Sequence, residues 1–174
     1  MALPREYAGQ ACSIAKALEI VGERWTLLIV RDAAYGVRRF SDFVTHLDIP
    51  RRVLTERLKF LVEEGILEKQ PAGGREEYAL TDKGLALFPV IRALAAWGDE
   101  YTSPGGRRRI LRHVACGTIL ERTGRCPECD LYPPVGDIES SPGPGLPALT
   151  DDDDEVTRAL ARPCRLLEPL VLQR

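Results

Sequence analysis

His113, Cys116, Cys126 and Cys129 follow one another as H-x2-C-x9-C-x2-C. Two close pairs of donors joined by a short spacer let two turns of chain close around one tetrahedral ion, as in zinc ribbons and knuckles. Gly117 and Gly124 fall where the chain must turn. Few apolar residues surround them, so a metal would supply stability that the segment's own core cannot. The competing reading is a trio of reduced thiols, or a disulfide between Cys126 and Cys129, because the spacer is short and His113 ends a basic run. A structural zinc site is the reading adopted.

Cys12 is the other cysteine with potential chemistry. It precedes the helically spaced segment "SIAKALEIV", and the positive end of a helix lowers a thiol's pKa and raises its reactivity. That makes it a redox-sensing candidate. The alternative is an inert buried thiol beside Ile14 on a subunit contact. The five cysteines are odd in number and three of them crowd into fourteen residues, without the spread of a secreted disulfide framework, which suits a reducing compartment. "MALPREYAGQ" has no basic region followed by an apolar core, and no run of eighteen apolar residues occurs. A cytoplasmic protein with no membrane partner is expected.

Catalysis is not expected. A zinc deaminase needs H-x-E with P-C-x-x-C, whereas His113 is followed by Val114 and Ala115, and Pro127 lies inside its cysteine pair. Neither HExxH, G-x-S-x-G nor a glycine-rich phosphate loop is present.

Ser13 reads as the N-cap and Gly22 as the stop of a first helix, and "RWTLLIVRDAAYG" as a second, closed by Gly36. "FSDFVTHL" reads as a third, with Ser41 as N-cap, broken at "DIP". In "PRRVLTERLKFLVEEG", Pro50 suits the first turn and Leu54, Leu58, Leu61 and Val62 form one apolar stripe. Arg51, Arg52, Thr55, Lys59 and Glu63 therefore face outward. "ILEKQPAGGREEYAL" predicts a hairpin with a glycine tip, basic at Lys69 and Arg75. A long helix is expected from Asp82 to about Tyr101. Its apolar residues exceed what a lone helix could hide, so part of it should meet another chain.

Net charge is only −2, but residues 1–112 carry 18 Lys and Arg against 15 Asp and Glu, while residues 113–174 carry 6 against 11. The first part is the better candidate for an anionic partner. Three short helices, the last basic and exposed, followed by a glycine-tipped hairpin, is the order of a winged helix-turn-helix. Arg and Thr near the start of such a helix can reach guanine edges and phosphates, and the hairpin can lie along the backbone.

The stretch "RWTLLIVRDAAYGVRRFSDFVTHLDIPRRVLTERLKFLVEEGIL", followed by "EYALTDKG", resembles the HxlR-type transcriptional regulators, close to the MarR regulators. The resemblance covers Cys12 to Tyr101. It implies a homodimer that binds a palindromic double-stranded operator as a repressor, or less often an activator. Carried over by residue, it implies that Arg51, Arg52, Thr55 and Lys59 belong to the recognition helix, with Arg57 between its leucines and Arg75 on the wing. It also implies that Arg38 and Arg39, ahead of Ser41, lie near the phosphate backbone. Ion pairs of Arg57 with Glu56 or Glu64, and of Arg38 with Asp42, are the structural alternatives. In some regulators of this type the cysteine at the position of Cys12 senses oxidants or electrophiles.

The expected fold is mainly α with a small β-hairpin: a winged helix-turn-helix plus dimerisation helices and a small C-terminal Cys-rich unit. The expected division is 1–104 for DNA binding and dimerisation, 105–138 for the zinc unit, and 139–174 for a flexible Pro/Gly and acidic tail with a short terminal helix. The expected function is a sequence-specific DNA-binding regulator responding to a small-molecule effector or a redox signal. The rival is a zinc-containing protein-interaction module without specific DNA binding.

Overall fold

Four helices, Ser13–Val21 (α1), Thr26–Ala34 (α2), Phe40–Leu47 (α3) and Arg51–Glu63 (α4), open a computed structural model that describes Tyr7 and residues 9–173. The starts of α1 and α3 differ by one and two residues from the hydroxyl caps the sequence suggests. Cys12, not Ser13, is the extended N-cap of α1, and Arg39 rather than Ser41 precedes α3. Ser41 lies inside the first turn and donates to Asp42 Oδ1 at 3.0 Å. Packing Phe40 against the core from that first turn outweighs a side-chain cap. Asp48 adopts φ 48° at the end of α3 and Pro50 is the N-cap of α4, so the proline stands just before the helix.

Leu54, Leu58 and Leu61 of α4 pack with Ile29 and Val30 of α2 and Phe43 of α3 in one buried cluster. Truncating a leucine of this kind costs roughly 2–5 kcal/mol. Leu67–Ala72 (β1) and Arg75–Leu80 (β2) form the antiparallel hairpin, with Ala72 opposite Arg75. Gly73 and Gly74 both take positive φ, 56° and 80°, which is the two-residue turn whose twist matches the strands.

The expected helix 82–101 is two: Asp82–Leu85 (α5) and Phe88–Tyr101 (α6). Pro89 lacks an N–H and cannot continue a helix past residue 85, so it begins a new one. The "LTDKG" run has a local reason as well. The Thr81 hydroxyl accepts from Gly84 N at 3.2 Å, capping α5. A Cβ on Gly84 would sit 2.2 Å from the Ile66 carbonyl oxygen, so only glycine lets α5 close on the start of the wing.

The C-terminal third departs most from expectation. Arg109–His113 (β3), Ile138–Pro142 (β4) and Cys164–Arg165 (β5) form a three-stranded antiparallel sheet in the order β3-β4-β5. Glu155–Leu160 (α7) places Val156 and Leu160 in the same core as α4. A second cluster joins Ala34 and Phe88 to Leu120, Cys126, Ile138 and Leu166. Residues 139–165 are therefore part of the folded body rather than a free tail, and the division at 104 and 138 does not follow the packing. The run of four aspartates ends in Asp154, whose carboxylate caps α7 by accepting from Val156 N (2.8 Å) and Thr157 N (3.0 Å). Beyond β5 the chain straps across the α2–α3 turn, with Leu167 N donating to Ala34 O and Leu170 N to Gly36 O. Gly36, at φ 91°, has no room for a Cβ against the Glu168 carbonyl. Among the described residues, no helix is long and apolar enough to cross a membrane.

Candidate nucleic-acid interface and metal cluster

The buried leucines of α4 turn the opposite side of the helix to solvent, where Arg51, Arg52, Thr55 and Lys59 stand together. The Arg52 side chain is 90% exposed and its Nε lies 3.0 Å from Glu56. Lys59 lies 3.7 Å from Glu63. Such exposed i,i+4 pairs are worth only about 0.3–0.5 kcal/mol, so both cations can exchange a carboxylate for a phosphate or a base edge at small cost. Thr55 Oγ1 donates to Arg51 O at 2.8 Å, and the Arg51 guanidinium lies 6.0 Å from the Phe40 ring centroid.

The other cations divide. Arg75 is exposed beside the hairpin tip. Arg39, half-exposed, donates to Glu77 Oε1 at 3.1 Å, joining α3 to the wing, and Ser41 is exposed next to it. Arg57 does not share the exposed face: its side chain is 13% exposed, its Nε lies 3.4 Å from Glu23, and it stacks 5.2 Å from Phe60. The partner is Glu23, brought over by the α1–α2 turn, rather than Glu56 or Glu64. Arg38 is likewise turned inward, donating to the carbonyls of Tyr78 (3.4 Å) and Leu167. Burial lowers its pKa from the ordinary guanidinium value. Both arginines tie separate elements together from within the fold.

His113, Cys116, Cys126 and Cys129 converge until their ligand atoms all lie within 4.8 Å of one another. Two turns of similar shape bring them there. Gly117 N donates to His113 O at 2.8 Å, and Gly117 takes φ 72° directly after Cys116. Asp130 takes φ 55° directly after Cys129, and Cys126 N donates to Leu131 O at 2.7 Å. Cys116 Sγ lies 3.5 Å from both His113 Nδ1 and Cys126 Sγ. The cysteines are free thiols, so the disulfide alternative is not what the structure holds. Hydrogen bonds from the Thr118 hydroxyl and amide hold the Cys116 thiol down at about 6. Cys129, which donates to Cys116 and is partly withdrawn from solvent, is pushed up to about 12. The cluster can accommodate a cation that takes four donors.

Cys12 is exposed at the head of α1. The sequence pattern left one group of residues unread. Asp32, fully buried, accepts from Arg31 (2.8 Å to Nε) and lies 3.8 Å from His46 Nε2. His46 Nδ1 is in turn 3.2 Å from the Thr157 hydroxyl and 3.4 Å from Asp154. Burial raises the Asp32 pKa. A lone carboxylate inside the apolar run "LLIVRDAA" was the available signal, because a buried acid requires a partner.

Known proteins resemble this chain. A family model described as an HxlR-like helix-turn-helix matches residues 20–105. An uncharacterized HTH-type transcriptional regulator of Mycobacterium tuberculosis is 44% identical over 140 residues, 78% of this chain and 89% of its own length. A Bacillus subtilis regulator of the same description, YvaP, is 40% identical over 93 residues, 51% of this chain and 86% of its own. Among solved structures, PA1607, assigned as a transcription factor, aligns with a TM-score of 0.54 and 36% identity, covering 84% of this chain and 94% of that one. A MarR-family regulator of Porphyromonas gingivalis aligns with a TM-score of 0.50 and 28% identity, covering 55% and 98%. The mycobacterial alignment is longer than the family segment, so part of the C-terminal third is shared with that relative. The winged helices, the exposed face of α4 and these likenesses agree: the chain belongs to the HxlR-like helix-turn-helix family of DNA-binding transcriptional regulators.

Proposed function

We propose that the chain acts as a homodimeric regulator, a repressor in its basal state, that reads a palindromic operator with one α4 in each of two successive major grooves. The observation that carries this is the single exposed surface formed by Arg51, Arg52, Thr55 and Lys59, backed by three buried leucines. One helix reads only a few base pairs, so two held about 34 Å apart are needed to specify a site. The contact surface is supplied by Ile14 and Leu18 of α1 with Val90, Leu94, Trp97 and Tyr101 of α6, all large, apolar and exposed. A patch of that kind on a soluble protein marks an association site. Arg75 and Arg39 then lie along the backbone beside the helix, and Ser41 can donate to a phosphate.

The His113, Cys116, Cys126, Cys129 cluster fits zinc. A tetrahedral ion with bonds of about 2.0–2.3 Å requires donors roughly 3.4–3.8 Å apart, which is the spacing Cys116 already has to two of its neighbours. Three thiols this close cannot all ionise without a cation to balance them. Four protein donors leave no coordination position for a substrate, so the role is structural: it pins the end of β3 to the 126–129 turn. Effector response to a small molecule, or to oxidation of exposed Cys12, and action in the cytoplasm complete the proposal.

Selection of bound fragments from random duplex by the purified protein tests this reading. The expected result is an inverted repeat with half-sites one helical turn apart, bound by two chains, with affinity that falls as salt rises. Recovery of no sequence preference would remove it.

A further inference from the structure

A cavity of about 800 Å³ opens between α2, α6 and the C-terminal third, within the size range of small-molecule sites. Its wall is of two kinds. Ile91, Leu111 and Leu160 contribute apolar surface, whereas six arginines and three acids, Asp99, Glu121 and Asp153, line it; Arg31 is paired with Asp32 and Arg122 with Glu100, which leaves Arg92, Arg107, Arg108 and Arg109 as its other cations. Those acids have work elsewhere: Asp99 accepts from Arg108 N, Glu121 lies 3.6 Å from Arg125, and Asp153 accepts from Thr150. Arg92 donates to the Glu121 carbonyl at 2.8 Å, and burial, with the neighbouring Arg107 guanidinium adding to it, lowers its pKa. Arg109 donates to the Leu160 carbonyl and lies 5.6 Å from the Tyr35 ring. Cations held against backbone carbonyls and one another, in a half-buried recess, leave forked donors for an incoming oxyanion.

We infer that this cavity binds an amphipathic carboxylate, its head held by Arg92, Arg107 and Arg109 and its apolar body against Ile91, Leu111 and Leu160. The position suits an effector. Arg31 of α2 and His46 of α3 also line it, so an occupant touches the helices that support α4. On α6 the cavity takes Ile91, Arg92 and Ala95, while Val90, Leu94, Trp97 and Tyr101 lie on the other side at helical spacing. Ligand and partner subunit therefore use different faces of one helix. Coupling to operator release rests on the DNA-binding reading above; the site itself does not.

The test is calorimetric titration of the full chain with dodecanoate and 1-naphthoate, with dodecanol and inorganic phosphate as probes of tail and head alone. At least one carboxylate saturates one site per chain, at least tenfold tighter than dodecanol or phosphate. Arg107→Ala weakens it at least tenfold. Ala95→Phe, which narrows the mouth from an exposed helical position, abolishes it, and serves alone if circular dichroism shows Arg107→Ala unfolded. Absence of carboxylate binding, equal binding of dodecanol, or indifference to Ala95→Phe would overturn the assignment. Operator affinity of the ligand-free wild type, measured separately, distinguishes failure of the cavity from failure of the DNA-binding reading.

Discussion

His46 Nδ1 lies 3.4 Å from Asp154 Oδ2, which ties the third helix of the DNA-binding unit to the cap of α7, 108 residues later in the chain. Asp154 serves both ends of this link: one oxygen caps α7, the other meets His46 and the Thr157 hydroxyl. Burial works against its charged form, yet the Thr157 hydroxyl and amide and the imidazole together lower its pKa.

Asp154→Ala is expected to destabilise the fold by about 1 kcal/mol at pH 7, the usual worth of a lost N-cap. Because its folded pKa is depressed, the stability contributed by the charged form is complete above the ordinary carboxylate pKa and is lost as pH falls through the folded value. Asp154→Asn keeps a capping oxygen but removes that acid-side loss. Asp32 has the opposite sign: its raised pKa means that ionisation costs stability at neutral pH, and the cost fades as pH drops. Urea midpoints of wild type and Asp154→Asn between pH 7 and pH 3 check this, and parallel curves would refute it.

Arg52→Ala should weaken operator binding by roughly 1–3 kcal/mol with unchanged thermal stability, since the side chain touches only an exposed glutamate. Arg57→Ala should do the reverse, lowering stability through the lost Glu23 pair and Phe60 stacking. Paired gel-shift and melting measurements separate them; equal loss of affinity in both variants would contradict the division of roles.

Trp97→Glu is expected to convert the proposed dimer to a monomer, because Trp97 is 59% exposed and packs at a tilt against Tyr101, ring centroids 5.3 Å apart, in the middle of the apolar face of α6. Sedimentation velocity reads the mass directly. Operator affinity should fall by orders of magnitude as the second helix is lost.

Metal analysis of protein purified without chelator should return one zinc per chain. Cys126→Ser should empty the site and lower the melting temperature more than Cys116→Ser does. Cys126 is wholly buried beside Leu120 and Ile138, whereas Cys116 is exposed. A metal-free wild type with the same melting temperature as the isolated form would exclude a structural ion.

Local rules made the DNA-binding half readable. The stripe Leu54, Leu58 and Leu61, the glycine pair at 73–74 and the stops at Gly22 and Gly36 each follow from a short window of sequence. The four metal-binding candidates were legible for the same reason, since their spacing is a local property. What escaped was long-range. No window around Arg57 announces Glu23, none around Arg38 announces Leu167, and none around His46 announces Asp154. Residues 140–155 looked like linker because proline, glycine and aspartate dominate them. The strand pairing of Ile138–Pro142 with Arg109–His113 depends on partners about thirty positions upstream. Pro89 could have divided 82–101 in advance, as its missing N–H is a property of the residue alone.

Because Val156 and Leu160 share a core with Leu54 and Leu58, the ribosome has to deliver nearly the whole polypeptide before the DNA-reading surface acquires its final support. A premature stop codon near position 140 would then yield a product that still carries Arg51, Arg52, Thr55 and Lys59 but has lost part of the hydrophobic interior beneath them. Genetic dissection of this regulator should rely on point substitutions, because clipping off the end of the gene product injures the reading head as well.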